Sequence, residues 1–192
     1  MAADPIDRFR RWYRDAWRSG VPRADAMALA TVESGGAPSV RYVLLKSIDA
    51  AGFVFFTDAR SRKGRELSAD PRVSAAFYWN ARGRQVRIEG RVERVPEAEA
   101  DAYWRTRPRA SQLSAAASHQ SRSLRSRAEL VERRRRLERR YRDAEIPRPA
   151  GWSGFRIVPF AIEFWTHRDD RLHRRELFRL SRGRWRKTLL EP

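Results

Sequence analysis

The sequence predicts an α+β fold, an antiparallel β-barrel with peripheral helices, and three observations carry that reading. Short runs rich in β-branched and aromatic residues recur at hairpin spacing through the first half and again near the C-terminal end. Turn-forming residues separate them. Between the two sets lies a stretch with helical signals, which reads as an insertion at one side of the barrel.

In chain order, residues 5–20 come first. Ile6, Phe9, Tyr13 and Trp17 fall at helical spacing, with Pro5 near the start and Gly20 at the end, so this segment is expected to be an amphipathic helix. The period then changes. Segments 27–33, 39–48, 52–57, 73–79 and 85–95 read as strands, punctuated by Ser34-Gly35-Gly36, by Asp49 to Gly52 and by Asn80 to Gly83. A short helix is expected from Ser61 to Ala69, stopped by Asp70-Pro71. Residues 96–105 and 126–143 read as helices, with a small-residue stretch over 111–118 between them, and Pro147 to Gly151 closes the region. Strands resume at 154–157, 161–166, 172–180 and 184–190. No internal repeat is visible. The expected organisation is one domain over 1–192, with barrel strands over about 26–95 and 154–190 and a helical insertion over about 96–146.

Composition narrows the function classes. Hydrophobic residues make up 41% of the chain and seven residues are Trp, enough for a substantial core. The absence of Cys excludes disulfides, thiolate metal sites and a Cys nucleophile. The terminus Met1-Ala2-Ala3-Asp4-Pro5 has no apolar leader segment, and no run approaches a membrane span, so a soluble cytoplasmic protein is expected. The net charge of +18 resembles that of a nucleic-acid binder. Yet of 42 basic residues only Lys46, Lys63 and Lys187 are lysines, and arginines are spread from Arg8 to Arg186. The densest run, Arg133 to Arg136, is interleaved with Glu129, Glu132 and Glu138 and reads as a solvated helix face. A salt-sensitive affinity for polyanions is expected without a specific nucleic-acid role.

Three clusters look chemical. In the first, Arg41 and Lys46 bracket R-Y-V-L-L-K (41–46), and Ser61 is placed to cap the helix that opens with Arg62 and Lys63. Cations at a helix start oppose its dipole unless an anion such as phosphate sits there. The same residues also fit an ordinary basic surface, and spacing does not choose. Arg41 and Lys46 are five apart, so on a regular strand they face opposite sides, which requires a bulge or an extended ligand. In the second cluster, Tyr103 and Arg107 stand four apart ahead of Ser111: a phosphate grip if the helix reaches Pro108, an exposed helix end otherwise. In the third, a strand over 171–175 would align Arg171, His173 and Arg175 on one face, a costly arrangement unless something anionic or polar faces it. No H-E-x-x-H, Walker A, G-x-G-x-x-G or G-x-S-x-G pattern is present.

Together these residues resemble the pyridoxamine 5'-phosphate oxidase family over nearly the whole chain. The resemblance rests on R-Y-V-L-L-K (41–46), F-F-T (55–57), S-R-K-G (61–64), R-Q-V (84–86), Y-W-R-T-R-P-R-A-S-Q (103–112), H-Q-S (119–121), G-W-S-G-F-R (151–156), I-E-F-W (162–165) and R-L-H-R-R (171–175). It implies an FMN-binding split β-barrel working as a homodimer, with flavin sites built from both subunits. FMN contacts would come from Arg41, Tyr42, Val43, Leu44, Leu45, Lys46, Phe56, Thr57, Arg62, Lys63 and Gln85, and from the partner copy through Gln120, Ser121, Trp165 and Arg175. Lys46, Tyr103, Arg107 and Ser111 would hold the substrate phosphate, while Arg171 and His173 would frame the pyridine ring and act as the catalytic pair. The implied reaction oxidises pyridoxamine or pyridoxine 5'-phosphate to pyridoxal 5'-phosphate, with hydride passing to FMN and O2 reduced to hydrogen peroxide. No metal is implied.

Three departures from the family pattern stand out. Arg174 replaces the acid of the common R-L-H-D-R, Phe56 replaces a common Tyr, and an upstream Arg/Tyr-bearing cover segment found in some members is expected to be absent. These leave two competing classes: a split-barrel flavin oxidoreductase for a non-B6 substrate, such as the phenazine-pathway members, and a non-enzymatic polyanion-binding protein.

Overall fold

The computed structural model describes residues 4–192, so Met1, Ala2 and Ala3 of the terminus read above lie outside the described residues. The chain runs α1 (Pro5–Arg18), β1 (Ala26–Val32), β2 (Pro38–Leu44), β3 (Ser47–Ile48), β4 (Phe53–Asp58), α2 (Arg62–Ala69), β5 (Arg72–Trp79), β6 (Arg84–Arg94), α3 (Glu97–Thr106), α4 (Arg109–Ala117), α5 (Arg127–Arg140), β7 (Trp152–Thr166), β8 (Arg174–Ser181) and β9 (Arg184–Leu190). The strands form one antiparallel sheet in the order β2-β1-β5-β6-β7-β4-β3, with β8 added to β7 and β9 to β8. The α+β class and the antiparallel barrel sheet expected from the sequence are what the chain adopts. Among the described residues no helix is long and apolar enough to cross a membrane.

Element boundaries differ from the sequence reading in four places. The run expected over 39–48 is broken at Leu45 and Lys46, because the backbone changes partners: the Leu45 N–H donates to the Asp25 carbonyl, and the Lys46 N–H to that of Val54, both at 2.8 Å. The runs at 154–157 and 161–166 are one strand of 15 residues that runs through Pro159, which forfeits only its own N–H. The small-residue stretch is the helix α4. The strand expected from 172 begins at Arg174, because Arg171 adopts φ +64°, outside any strand.

Backbone packing divides the chain into two compact units. The first comprises residues up to Phe55, Glu66–Glu93 and Arg156–Pro192; the second comprises Phe56–Arg65 and Arg94–Phe155. The second unit contains the helical insertion expected over 96–146, and it packs around Trp104, Leu113, Ile146 and Trp152. Within the first unit, α1 supplies Phe9, fully buried and edge-on to Phe53 at 4.8 Å and Phe77 at 4.9 Å. Asp4 caps this helix by accepting from the Ile6 N–H at 2.9 Å, and Pro5 occupies its first turn. Ala16, not Trp17, completes the buried face, and Trp17 stands half exposed. At the middle of β7, Gly52 and Gly90 allow the neighbouring backbone to approach; a Cβ at either would collide with the carbonyls of Ile157 and Val158 respectively.

Polar contacts fix α1 to the C-terminal strands. Glu176 on β8 is 1% exposed and gathers three cations: Arg8 of α1 at 2.5 Å, Arg174 at 3.0 Å, and Lys187 of β9. The Arg8 guanidinium also lies over the Phe164 ring, 4.4 Å from its centroid. Burial alone would push the Glu176 carboxyl up, but hydrogen bonds from Arg8 and Lys187 and the nearby charges bring it from 4.5 to about 2. A depressed folded-state value stabilises the fold above the unfolded value and loses that contribution as pH falls. Thermal unfolding is therefore expected to show stability falling between about pH 4.5 and 2, a component that Glu176→Gln removes while costing roughly 2–4 kcal/mol at neutral pH. Parallel pH profiles for the two proteins would contradict this account.

Candidate functional site

In the second unit the chain leaves β4 through Thr57 and Asp58 and enters α2 at Arg62. Ser61 caps that helix as its sequence predicts, its Oγ accepting from the Gly64 N–H at 3.2 Å. Arg62 points outward, but Lys63 turns inward and is only 8% exposed. Its Nζ donates to Gln120 Oε1 at 2.7 Å and Thr57 Oγ1 at 3.0 Å, and the Thr57 hydroxyl itself donates to Gln120 at 2.8 Å. Gln120 thus reaches Thr57 and Lys63 within its own chain, where the resemblance had it arriving from a partner copy. Ser121 beside it is exposed and takes φ +69°, a left-handed conformation uncommon for a side-chain-bearing residue.

A cavity of about 520 Å³ opens here, lined by Thr57, Gln120, Arg107, Ser111 and Trp152 among others. The i, i+4 pairing expected for Tyr103 and Arg107 does not form, because α3 ends at Thr106 and Arg107 is extended, with φ −72° and ψ 140° ahead of Pro108. Aromatic packing organises both residues instead. Tyr103 stacks on Phe56 at 4.1 Å, Phe56 stacks on Trp152 at 5.1 Å, and the Arg107 guanidinium lies 4.9 Å from the Trp152 centroid and 5.2 Å from that of Trp104. The Arg107 Nη1 is buried and has no hydrogen-bond partner among the described residues. Burial pushes the Arg107 pKa down, with Tyr103 opposing, yet a guanidinium remains charged at any physiological pH. A half-buried cation with a buried, unfilled donor, lining the same cavity as Ser111, has the chemistry to receive an oxyanion.

In the first unit, Arg41 on β2 is committed to the protein: it pairs with Glu66 at 2.9 Å, donates to Ser39 Oγ at 2.6 Å, and hydrogen-bonds Thr31. Leu45 is buried, Val43 and Leu44 are half-buried, and Tyr42 is 77% exposed. Lys46 lies beyond the end of β2, so strand parity does not relate it to Arg41; its Nζ sits 3.2 Å from Asp25.

Gln85, Trp165 and Arg175 line a second, smaller cavity with Arg87, Glu163 and Pro192. Glu163 is buried and pairs with Arg175 at 2.8 Å and Arg87 at 3.1 Å. The Trp165 and His173 rings lie 4.6 Å apart. His173 Nδ1 accepts from the Arg168 backbone N–H at 3.2 Å, so the neutral ring carries its proton on Nε2. The expected alternation of Arg171, His173 and Arg175 along one strand face is not found. Arg171 and His173 belong to the loop before β8, closed by a His173 N–H to Arg171 carbonyl hydrogen bond of 2.9 Å. Only Arg175 is on the strand, opposite Trp165 in register. Arg174 points to the other side, exposed and paired with Glu176.

Sequence reasoning missed Glu163, Glu66 and Trp152. A lone carboxylate inside an apolar strand, as in I-E-F-W, was the available signal for Glu163, since a buried acid requires partners.

The sequence pattern of the family described as Pyridoxamine 5'-phosphate oxidase matches residues 13–140, and that described as Pyridoxine 5'-phosphate oxidase C-terminal dimerisation region matches 152–192. The chain is 50% identical over 192 residues to a pyridoxine/pyridoxamine 5'-phosphate oxidase of Gluconobacter oxydans, covering 100% of this chain and 96% of the relative. It is 49% identical to one of Rubrobacter xylanophilus, covering 98% and 87%. Among solved structures, PhzG from Burkholderia lata in complex with tetrahydrophenazine-1-carboxylic acid superposes with a TM-score of 0.95 at 36% identity, covering 99% of this chain and 93% of that one.

The unsatisfied guanidinium generates a prediction about stability. Arg107→Met keeps the packing against Trp104 and Trp152 while removing a half-buried, incompletely solvated charge, so the ligand-free fold should change by no more than ~1 kcal/mol. Binding of inorganic phosphate, followed by the rise in melting temperature it causes, should weaken by at least tenfold. A large loss of ligand-free stability with phosphate binding intact would contradict the assignment.

Proposed function

Because the chain belongs to the pyridoxamine 5'-phosphate oxidase family, we propose that it oxidises pyridoxamine and pyridoxine 5'-phosphates to pyridoxal 5'-phosphate, with FMN as cofactor and O2 as final acceptor. The observation that carries this reading is Arg107, a half-buried guanidinium whose buried Nη1 is unfilled, in a roomy cavity that Ser111 also lines. That donor set fits a phosphate monoester. Buried Lys63 and Thr57, with the exposed Gln120 they bond, supply a second group of donors and acceptors suited to the phosphate of FMN.

Roles are assigned residue by residue. Lys46, Tyr103, Arg107 and Ser111 hold the substrate phosphate, Arg107 as a planar fork and Lys46 as a point charge. Thr57, Arg62, Lys63, Gln120 and Ser121 hold the FMN phosphate and chain, while the backbone of 41–46 and Phe56, with Gln85, Trp165 and Arg175, frames the ring system. FMN, when bound, supplies the hydride acceptor for the substrate's 4' carbon and returns the electrons to O2. Arg171 and His173 orient the pyridine ring. Since His173 Nδ1 is occupied by the Arg168 N–H, its Nε2–H is the donor that meets an acceptor on the substrate. Orientation, with exclusion of water, is the protein's contribution to rate.

The working form is a homodimer. The C-terminal match to a dimerisation region supports this, and so does a sheet face on which Val40, Tyr42 and Tyr78 stand exposed, connected through Ala28 and Ala30 in register.

The test is an assay of hydrogen peroxide and pyridoxal 5'-phosphate formation by the yellow holoprotein, with tetrahydrophenazine-1-carboxylic acid as the competing substrate. His173→Ala and Arg171→Ala are expected to lower turnover about 100-fold or more with FMN retained, and Arg174→Asp only a few-fold. Turnover of the phenazine acid with none of either B6 phosphate would replace this reading with the non-B6 one.

A further inference from the structure

The cavity shared by Gln85, Trp165 and Arg175 also holds Glu163 and Arg87, to which the roles above assign nothing. We propose that Glu163 is a positioning residue that fixes Arg87 and Arg175 beside the flavin and, by its charge, sets the reduction potential of the bound cofactor. The inference rests on the FMN reading of this cavity.

The geometry leaves Glu163 little other purpose. It is 7% exposed, and its two carboxylate oxygens take one guanidinium each, Oε1 from Arg175 Nε at 2.8 Å and Oε2 from Arg87 Nη1 at 3.1 Å. It lies two residues from Trp165 on β7, so both side chains project from the same face of the strand. Arg175 is pinned at a second point, its Nη1 donating to the Glu191 carbonyl at 3.0 Å. A guanidinium held at both ends has its position fixed before any ligand arrives. Burying a carboxylate carries a large desolvation penalty, and that penalty is offset only because both cations are present.

The charges give the consequence. Among the residues lining the cavity, two guanidiniums and one carboxylate leave a net positive charge; half-buried Glu89, outside that lining, offsets part of it by pairing with Arg87 at 3.4 Å. Reduced flavin is more negative than oxidised flavin, so positive potential favours reduction and Glu163 moderates it. Neutralising Glu163 therefore raises the potential, and neutralising Arg87 lowers it.

The experiment equilibrates purified holoprotein with a reference dye during slow reduction and reads the flavin midpoint. Glu163→Gln should shift the equilibrium toward reduced flavin about tenfold, which is about 30 mV for a two-electron couple. Arg87→Gln should shift it about tenfold the other way, and it reports on the same cluster if Glu163→Gln fails to retain FMN. Opposite signs are the signature, because a merely structural role would lower melting temperature or FMN affinity in both variants without separating their potentials. Midpoints within threefold of wild type in flavin-loaded variants would overturn the proposal. Wild-type protein that binds no FMN would overturn the functional reading itself, and this inference with it.

Discussion

The constraint on which the first unit depends is the disposal of positive charge around a few buried carboxylates. A chain of net charge +18 cannot fold compactly unless its guanidiniums are either solvated or tied to acids. Here Glu66 takes Arg41, Glu163 takes Arg87 and Arg175, and Glu176 takes Arg8, Arg174 and Lys187. Each acid joins segments distant in sequence: α2 to β2, β7 to β6 and β8, and β8 to α1 and β9. Such clusters specify geometry more than they add stability, since the desolvation of each acid consumes much of the Coulomb gain. Arg107 in the second unit is the informative exception. Aromatic faces hold it and its Nη1 is left unfilled, and the proposed phosphate contact rests on that difference.

Much of this was legible in the sequence because it is local. The 3.6-residue period of α1 as far as Tyr13, the capping Ser61 and the alternation of β5 and β6 depend on neighbours within a few positions, and the structure has them where the pattern puts them. The motifs were legible for another reason: nine short strings in one order identify a family even when each alone is weak. Non-local commitments were not legible. Nothing near Arg41 in sequence announces Glu66, and nothing near Lys63 announces Gln120, 57 residues away. The break at Leu45 and Lys46 arises from a change of strand partner, which no single-strand pattern encodes. The alternation drawn through Arg171, His173 and Arg175 failed because one left-handed residue ends strand periodicity, and Arg carries no sign of that conformation.

The two cavities contrast in how they are built. The one holding Arg107 is walled by Phe56 and Trp152, with Tyr103 stacked behind Phe56, all three rings within 17° of parallel. Phe56 in place of the family's common Tyr keeps that stack intact, since the contact is face to face and needs no hydroxyl. The cavity holding Glu163 is walled by charge. An aromatic wall tolerates a change of ring type, whereas a charged wall tolerates a change only when its partner changes too.

That distinction bears on the departure at Arg174. The strand face that carries an acid at 174 in the common pattern carries one here at 176, two residues along and on the same side. Glu176 is served by Arg8 and Lys187 whether or not position 174 contributes. A carboxylate with spare partners is a buffer against mutation: any one of the three cations can be exchanged while two remain. Drift should therefore accumulate at 174 sooner than at 8, where Arg also stacks on Phe164.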